Sequence, residues 1–294
     1  MRQKGINKPD DRRLEALAGR IRREMLILAH RSKTPHLGPA FSCVEILTLL
    51  YGKVMKKDPL DPLAANRDRF ILSKGHGALA WYVCLYEMGF LGKDLLYSYC
   101  ANGSPLAEHP LARKLPCIEF ATGSLGHGLA VGIGQAMASK LKKEGSRVFV
   151  LMGDGECNEG SVWEAAGFAS ARRLDNLVVI VDHNRWQATD RYERLSGGHG
   201  LNEIWKSFGW ETREADGHSI GRMREVFTRP FFAVKKPKVV IARTVKGKGV
   251  SFMENNLEWH YRWPDDRDLE KAMEELEEKG GSPGRPRARG GKRV

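Results

Sequence analysis

Hydrophobic positions along the chain change period several times, and each change marks an element. Apolar residues at Leu14, Leu17, Ile21, Met25 and Leu28 recur at helical spacing and predict a helix over residues 11–31. A second helix is expected over 42–55, with Ser42 as N-cap and Glu45 as its capping-box partner. A short strand at 69–73 leads into an apolar helix at 75–89. From about residue 120 the alternation is regular. Helix 123–145, strand 147–153, helix 159–173, strand 176–182, helix 201–209, strand 210–216, helix 219–229 and strand 238–244 follow in turn. Strands 147–153 and 176–182 are almost continuously apolar, the pattern of strands covered on both sides. Helices set between such strands predict an α/β fold: a mostly parallel sheet with helices on both faces. Residues 1–280 read as one domain, followed by a tail over 281–294.

Composition narrows the function classes. The chain has 294 residues, 41% hydrophobic and 29% charged, enough for a large core in a soluble globular protein. No apolar run approaches the roughly 18 residues of a membrane span. The N-terminus lacks a signal-like apolar stretch and carries Asp10, Asp11 and Glu15. Five cysteines, odd in number and without C-x-x-C spacing, read as reduced thiols and predict a cytoplasmic setting. The net charge of +12 is concentrated at the ends: residues 1–33 contribute +6 and the tail 281–294 +5, leaving the body nearly neutral. A nucleic-acid-binding domain should carry its basic face on the folded body, so neither a nucleic acid nor a membrane is expected as partner. The Gly- and Pro-containing tail reads as a disordered, solubilising extension.

Candidate chemistry lies at two strand ends. Strand 147–153 runs into Asp154 within "MGDGECNEG", and strand 176–182 runs towards Asn184, thirty positions further on. One helix and one strand between them make a βαβ unit, which places both residues at the carboxyl edge, where open α/β sheets bind ligands. Asp154 offers an anionic oxygen, Asn184 an amide oxygen, and the loop "RWQATD" a backbone carbonyl. Few protein oxygens plus ligand phosphates are how Mg²⁺ is usually held. Gly153 and Gly155 let backbone approach a ligand, and the next helix offers N–H groups to phosphate. Taken singly, Asp154 is a turn residue and Glu159 a first-turn acid favoured by the helix dipole; their conjunction at this spacing is the signal. Glu156 reads as a solvated carboxylate. His36, His76 and His109 lie beside Gly or Pro in predicted loops, where catalytic groups concentrate. His30 and His183 read as structural, and His199 and His218 as solvent-exposed. Lys74, Lys246 and Lys248 could each meet a phosphate or a carboxylate.

The stretch "GDGECNEGSVWEAAGFASARRLDNLVVIVDHN" resembles the thiamine diphosphate signature, and its E-G-x-x-W-E-A and L-D-N-L wording is similar to transketolases. The resemblance runs from about residue 12 to 263. "TPHLG", "DRFILSKGHGALAWY", "EHP", "ATGSLGHGLAVGIGQA" and "TVKGKGVSFMENNLEWH" are similar to further motifs of that family. It implies Mg²⁺ (Ca²⁺ can substitute) on Asp154, Asn184 and the Trp186 carbonyl, bridging to thiamine diphosphate. It places Gly153, Gly155, Lys74 and Lys248 at the cofactor and Gly123, Ser124 and Leu125 along the passage to the partner domain. His36, His76, His109 and His260 would surround the thiazolium carbon and sugar hydroxyls, and Glu159 would join a carboxylate network across a subunit interface.

In that family a pyrimidine-binding domain, carrying the glutamate that promotes ylid formation, lies C-terminal; this chain shows no such domain. The resemblance is therefore to the diphosphate-binding half of a split transketolase. It would work in an α2β2 assembly with a C-terminal subunit, moving two-carbon ketol units between sugar phosphates. The sequence departs from the family at His127 (Gln is usual), Tyr261 (Gly), "TPHLGP" (S-G-H-P-G) and "DRYERLSGGHG" (an acidic loop). Rival readings are a subunit of a deoxyxylulose-phosphate-synthase-like or sulfo-sugar-cleaving enzyme, and a silent binding protein that keeps the fold. Intact Asp154, Asn184 and Glu159 argue against the last.

Overall fold

Strands β1 (Arg69–Leu72), β2 (Val148–Gly153), β3 (Leu177–His183), β4 (Glu211–Asp216) and β5 (Lys238–Arg243) form one sheet in the order β1-β2-β3-β5-β4. The computed structural model describes residues 10–112, 114–195 and 200–279; His199, the tail 281–294 and the residues before Asp10 lie outside the described residues. Every pairing is parallel, as expected where helical crossovers join the strands. The register brings Gly153 opposite Asp182 and His183 opposite Arg243, so the three central strands end together.

Alternate residues of each strand enter two separate cores. Phe70, Leu72, Phe149, Leu151, Val178, Ile180 and Val240 face the helices Asp11–Ser32, Val44–Leu49 and Ala78–Glu87. Ile71, Val148, Val150, Val179, Val181 and Val239 face Gly128–Leu141, Gly160–Ala171 and Leu201–Ser207. Burial on both sides is why β2 and β3 carry no polar alternation. The first helix begins at an Asp10 cap that accepts from the Arg13 N–H at 2.8 Å and ends at Lys33 in the left-handed conformation.

Three expectations are corrected. The segment over 42–55 is the short helix Val44–Leu49 continued by a wider turn, Leu50–Val54, and it has no capping box. Ser42 turns its hydroxyl to Asp182 at 2.5 Å, while Glu45 pairs with Arg22 at 2.5 and 2.8 Å and with His218 at 2.9 Å. Tertiary partners outcompete the local cap because both groups are buried. The predicted helix 123–145 starts only at Gly128, which leaves Gly123 to His127 as a turn beside the sheet edge. The stretch Leu37–Val54 does reach membrane-like length and mean hydropathy (1.3), but 83% of it is buried within the protein.

Glu45 links acid pH to stability. Burial alone would raise its pKa, but Arg22 and His218 pull it down to about 2. A carboxylate depressed in the folded state contributes stability that is complete above its unfolded value and is lost as pH falls through the folded value. Urea midpoints measured from pH 4.5 to 2 should therefore fall less steeply in Glu45→Gln than in the parent. The difference should approach about 3 kcal/mol over that range. Parallel profiles would refute it.

Candidate active site

At the carboxyl edge the chain turns four times within one small volume, after β1, β2, β3 and β5. The first turn carries Lys74, whose ammonium is buried against the Asp182 carboxylate at the end of β3 and also donates to the Pro39 carbonyl at 2.9 Å. Ser42 and the Thr244 hydroxyl complete the shell of Asp182. Burial opposes both charges. Their mutual attraction nevertheless holds Lys74 above and Asp182 below their ordinary values, so both remain ionised.

β2 delivers Asp154 and β3 delivers Asn184, both nearly inaccessible. Asp154 Oδ1 accepts the Gly155 N–H at 2.8 Å; Oδ2 accepts the Arg185 N–H at 2.6 Å and lies 2.9 Å from His183 Nδ1. Three of about four carboxylate acceptor positions are thus in use. Asn184 Oδ1 accepts the Trp186 N–H at 3.0 Å, and Nδ2 reaches Ser42 Oγ at 3.4 Å. After Arg185, at φ 68°, the loop folds back: Trp186 bridges to Arg191, and the Arg191 guanidinium lies 4.0 Å over the Trp186 ring.

Asp154, Asn184 and Trp186 line a cleft of about 190 Å³ together with Pro39, Lys74, His76, Leu125, Gly153, Gly155, Glu156, Glu159 and His260. No group of three or more His, Cys, Asp or Glu able to hold a metal exists among the described residues. The donor set is instead one carboxylate, one amide and nearby carbonyls, which suits a hard cation that keeps phosphate and water ligands. Burial raises the Asp154 pKa despite His183. An ionised carboxylate held at that cost is a place where a cation is favoured, so the residues present fit Mg²⁺.

Four histidines from distant segments meet above the cleft. His36 lies 5.7 Å from His76, 5.6 Å from His109 and 5.2 Å from His260, measured between ring centres. Its left-handed backbone, φ 69°, turns the chain into the helix Leu37–Phe41, and its N–H bonds the His260 carbonyl at 2.9 Å. Glu108 Oε1 stands 2.7 Å from His36 Nδ1, an ion-pair distance without hydrogen-bond alignment. Burial lowers His36 and His76, and burial with Lys246 takes His260 to about 3. Lys246, itself brought to about 7 by burial and Lys74, sits 2.9 Å from His260 Nδ1. At neutral pH His36, His76 and His260 are therefore uncharged, and each can donate and accept hydrogen bonds to a polyol.

The remaining expectations fall in different places. Gly123 and Ser124 are exposed beside the cleft, and a Cβ on Gly123 would stand 3.4 Å from the His109 ring. Gly75 passes so close to Thr122 and Gly123 that a Cβ there would meet their backbone at 2.9 Å. Glu159 is exposed at the head of Gly160–Ala171. The 3-10 turn Gly155–Asn158 intervenes, so this helix does not start directly behind Asp154. Lys74 meets a carboxylate, while Lys248 lies 3.4 Å from Glu254 and does not line the cleft. Tyr261, the unusual neighbour of His260, lies 4.7 Å from it between ring centres, tilted by 50°, and is 60% exposed.

Glu156 is a correction. It is 1% exposed, and accepts from the Ser73 hydroxyl, the Gly126 N–H at 2.9 Å and the Gly153 N–H at 3.3 Å. It ties the 123–127 turn to the ends of β1 and β2. His218 is also corrected: its ring is packed between Glu45 and the Val245 N–H. Apart from Gly153, the partners lie far along the chain, so neither residue's burial has a local sequence signal. Glu156→Ala leaves buried donors without acceptors, so guanidinium denaturation should show a loss of about 3 kcal/mol or more, with Glu156→Gln recovering part. A loss below about 0.5 kcal/mol for Ala would mean that the carboxylate is solvated after all.

Comparison with known proteins places this geometry. Residues 16–277 match the family model described as transketolase, thiamine diphosphate binding domain. One of the subunits of the apulose-4-phosphate transketolase of Phocaeicola vulgatus is 39% identical over 90% of this chain and 94% of its own length. The 6-deoxy-6-sulfo-D-fructose transketolase subunit SqwG of a Clostridium species is 36% identical over 83% and 89%. Among solved structures, the transketolase of Campylobacter jejuni superposes with a TM-score of 0.83 at 27% identity, covering 90% of this chain but 42% of the other. The parallel sheet, the paired Asp154 and Asn184 at its edge and these matches together show that the chain belongs to the transketolase family, as its thiamine diphosphate-binding domain.

Proposed function

We propose that this chain is the N-terminal subunit of a two-component transketolase, which transfers a two-carbon ketol unit between sugar phosphates together with a C-terminal subunit that carries the pyrimidine-binding domain. The observation that carries the reading is a half-built site. The cleft, its histidines and the turn 123–127 open beside helices Gly128–Leu141 and Gly160–Ala171, which are apolar around most of their circumference yet leave Ala130, Gly134, Leu141 and Phe168 exposed. Helices of that composition belong against another surface. The relatives named as subunits, and the solved transketolase of which this chain matches 42%, supply the same division.

In this reading Asp154, Asn184 and the Trp186 carbonyl hold Mg²⁺, with Ca²⁺ able to substitute, and Gly153 and Gly155 admit the diphosphate. Gly123, Ser124 and Leu125 line the passage to the partner, and Glu159 faces the partner's carboxylates in an α2β2 assembly. Thiamine diphosphate, when bound, supplies the nucleophilic carbon and electron sink for breaking and making the carbon–carbon bond. The chain's own part is to orient and to manage protons. His36, His76, His109 and His260 hold the sugar hydroxyls and relay their protons, and the uncharged rings among them do so without repelling Mg²⁺. Lys246 Nζ lies 2.9 Å from His260 Nδ1, and when it donates there the proton of the neutral ring sits on Nε2. The anionic ketoses in the relatives' names support a sugar phosphate or similarly charged sugar as substrate. The five free cysteines accord with a reducing, cytoplasmic setting.

The purified chain alone should bind Mg²⁺ and thiamine diphosphate weakly and transfer no ketol unit; co-purified with its C-terminal partner it should do both. In that pair Asp154→Ala should weaken Mg²⁺-dependent cofactor binding about tenfold or more by calorimetry. Robust ketol transfer by the chain alone would overturn the two-chain reading, and unchanged binding in the variant would overturn the metal assignment.

A further inference from the structure

His218 stands outside the cleft, in the loop that follows edge strand β4, and nothing in the proposed chemistry uses it. Yet its ring is held at both nitrogens. Nδ1 lies 2.9 Å from Glu45 Oε2, and Nε2 receives the Val245 N–H at 2.8 Å. A nitrogen that accepts carries no proton, so Nε2 is bare and the ring's proton sits on Nδ1, donated to the carboxylate. Behind Glu45 stands Arg22 of the first helix, whose guanidinium also donates to the Phe41 carbonyl at 3.0 Å. All three side chains are close to fully covered: 6% exposed for Arg22, 10% for Glu45 and 12% for His218.

The far end of this chain of contacts is the active cleft. Val245 lies between Thr244, whose hydroxyl serves Asp182, and Lys246, whose ammonium contacts His260. The loops after β4 and β5 are pressed together here. The Gly217 N–H bonds the Arg243 carbonyl at 2.8 Å, and a Cβ on Gly217 would lie 2.4 Å from Thr244 Cγ2. Segment 244–246 leaves the sheet at its last paired residue, Arg243, so a side-chain acceptor takes over where the ladder stops.

We propose that His218 is a positioning residue of the histidine site: its bare Nε2 holds the Val245 N–H, and through it sets Lys246 against His260. The bond to Glu45 serves to fix the tautomer and aim the ring. The Nε2 contact matters for geometry at the site, and the Nδ1 contact matters only through it. Displacing a group beside reacting atoms by about 1 Å can cost on the order of 10²-fold, so a clamp on backbone next to the cluster has leverage.

The two nitrogens can be separated by substitution. In Gln the side-chain oxygen reaches the place of Nε2 and can accept the Val245 N–H; Asn reaches the place of Nδ1 and cannot. In the full chain, amide hydrogen exchange at Val245 and the ¹⁵N signals of the His260 ring should change in His218→Asn, with exchange faster by about tenfold or more. His218→Gln should stay close to the parent. In the two-subunit enzyme, kcat/KM for ketol transfer should fall about tenfold or more in the Asn variant and stay within about threefold in the Gln variant. Circular dichroism and Glu45-dependent acid unfolding report whether each variant is folded. Equal behaviour of the Gln and Asn variants, or an unmoved His260 signal in the Asn variant, would overturn the clamp. The inference rests on the transketolase reading for its kinetic arm alone. If the parent pair transfers no ketol unit, that reading fails, while exchange and ring signals still decide the role of His218.

Discussion

A lysine and an aspartate that never meet water hold the carboxyl edge of this sheet together. Lys74 follows β1 and Asp182 is the next-to-last residue of β3, with β2 between them, so their ion pair spans the edge rather than joining neighbours. An unpaired charge there would cost several kcal/mol, and further bonds hold the pair: Lys74 donates to the Pro39 carbonyl, and Asp182 accepts from the Ser42 and Thr244 hydroxyls. The site hangs from this cluster at short range. His76 stands two residues beyond Lys74, Asn184 two beyond Asp182, and Lys246 two beyond Thr244. Three loops therefore inherit the rigidity of one buried network, which keeps His76, Asn184 and Lys246 in register at the sheet edge.

The electrostatics of the cleft are unbalanced in a way that a metal–diphosphate ligand would correct. Asp154 is pushed up by burial, Lys246 is pushed down to about 7, and His260 to about 3. Each group is held in an environment that disfavours its charge, and a bound cation with its phosphates would offset those costs from both sides. The same burial leaves His36, His76 and His260 uncharged, matched to polar hydroxyls rather than to anions. Glu45, Asp182 and Lys74 are held ionised by their partners, whereas Asp154, Lys246 and His260 are pushed towards their uncharged forms.

The one-sidedness of the site follows from the fold. One core face packs the helices Asp11–Ser32, Val44–Leu49 and Ala78–Glu87 together with C-terminal residues such as Met223 and Leu276, and the other packs Gly128–Leu141 and Gly160–Ala171, whose outer sides remain uncovered. The turn 123–127 is tied to that second face through Glu156, so the passage beside the cleft and the open helices form one continuous border.

Hydrophobic period and strand-end spacing determined much by themselves: the five strands, their parallel order of burial, and Asp154 with Asn184 at the same edge. Those signals are local, because a strand buried on both faces must be apolar and a βαβ unit must return both ends to one side. The motif resemblance added the histidines and the half-site. Tertiary structure alone decided the rest. Ser42 and Glu45 look like a cap, yet 140 residues separate Ser42 from Asp182 and 173 separate Glu45 from His218, the partners they take instead. Glu156 looks solvated until Ser73, 83 positions away, is folded over it. Lys74 could be read as a phosphate ligand until Asp182 arrives from 108 positions on. Burial and charge pairing depend on which distant segments share a volume, and only the assembled fold sets that.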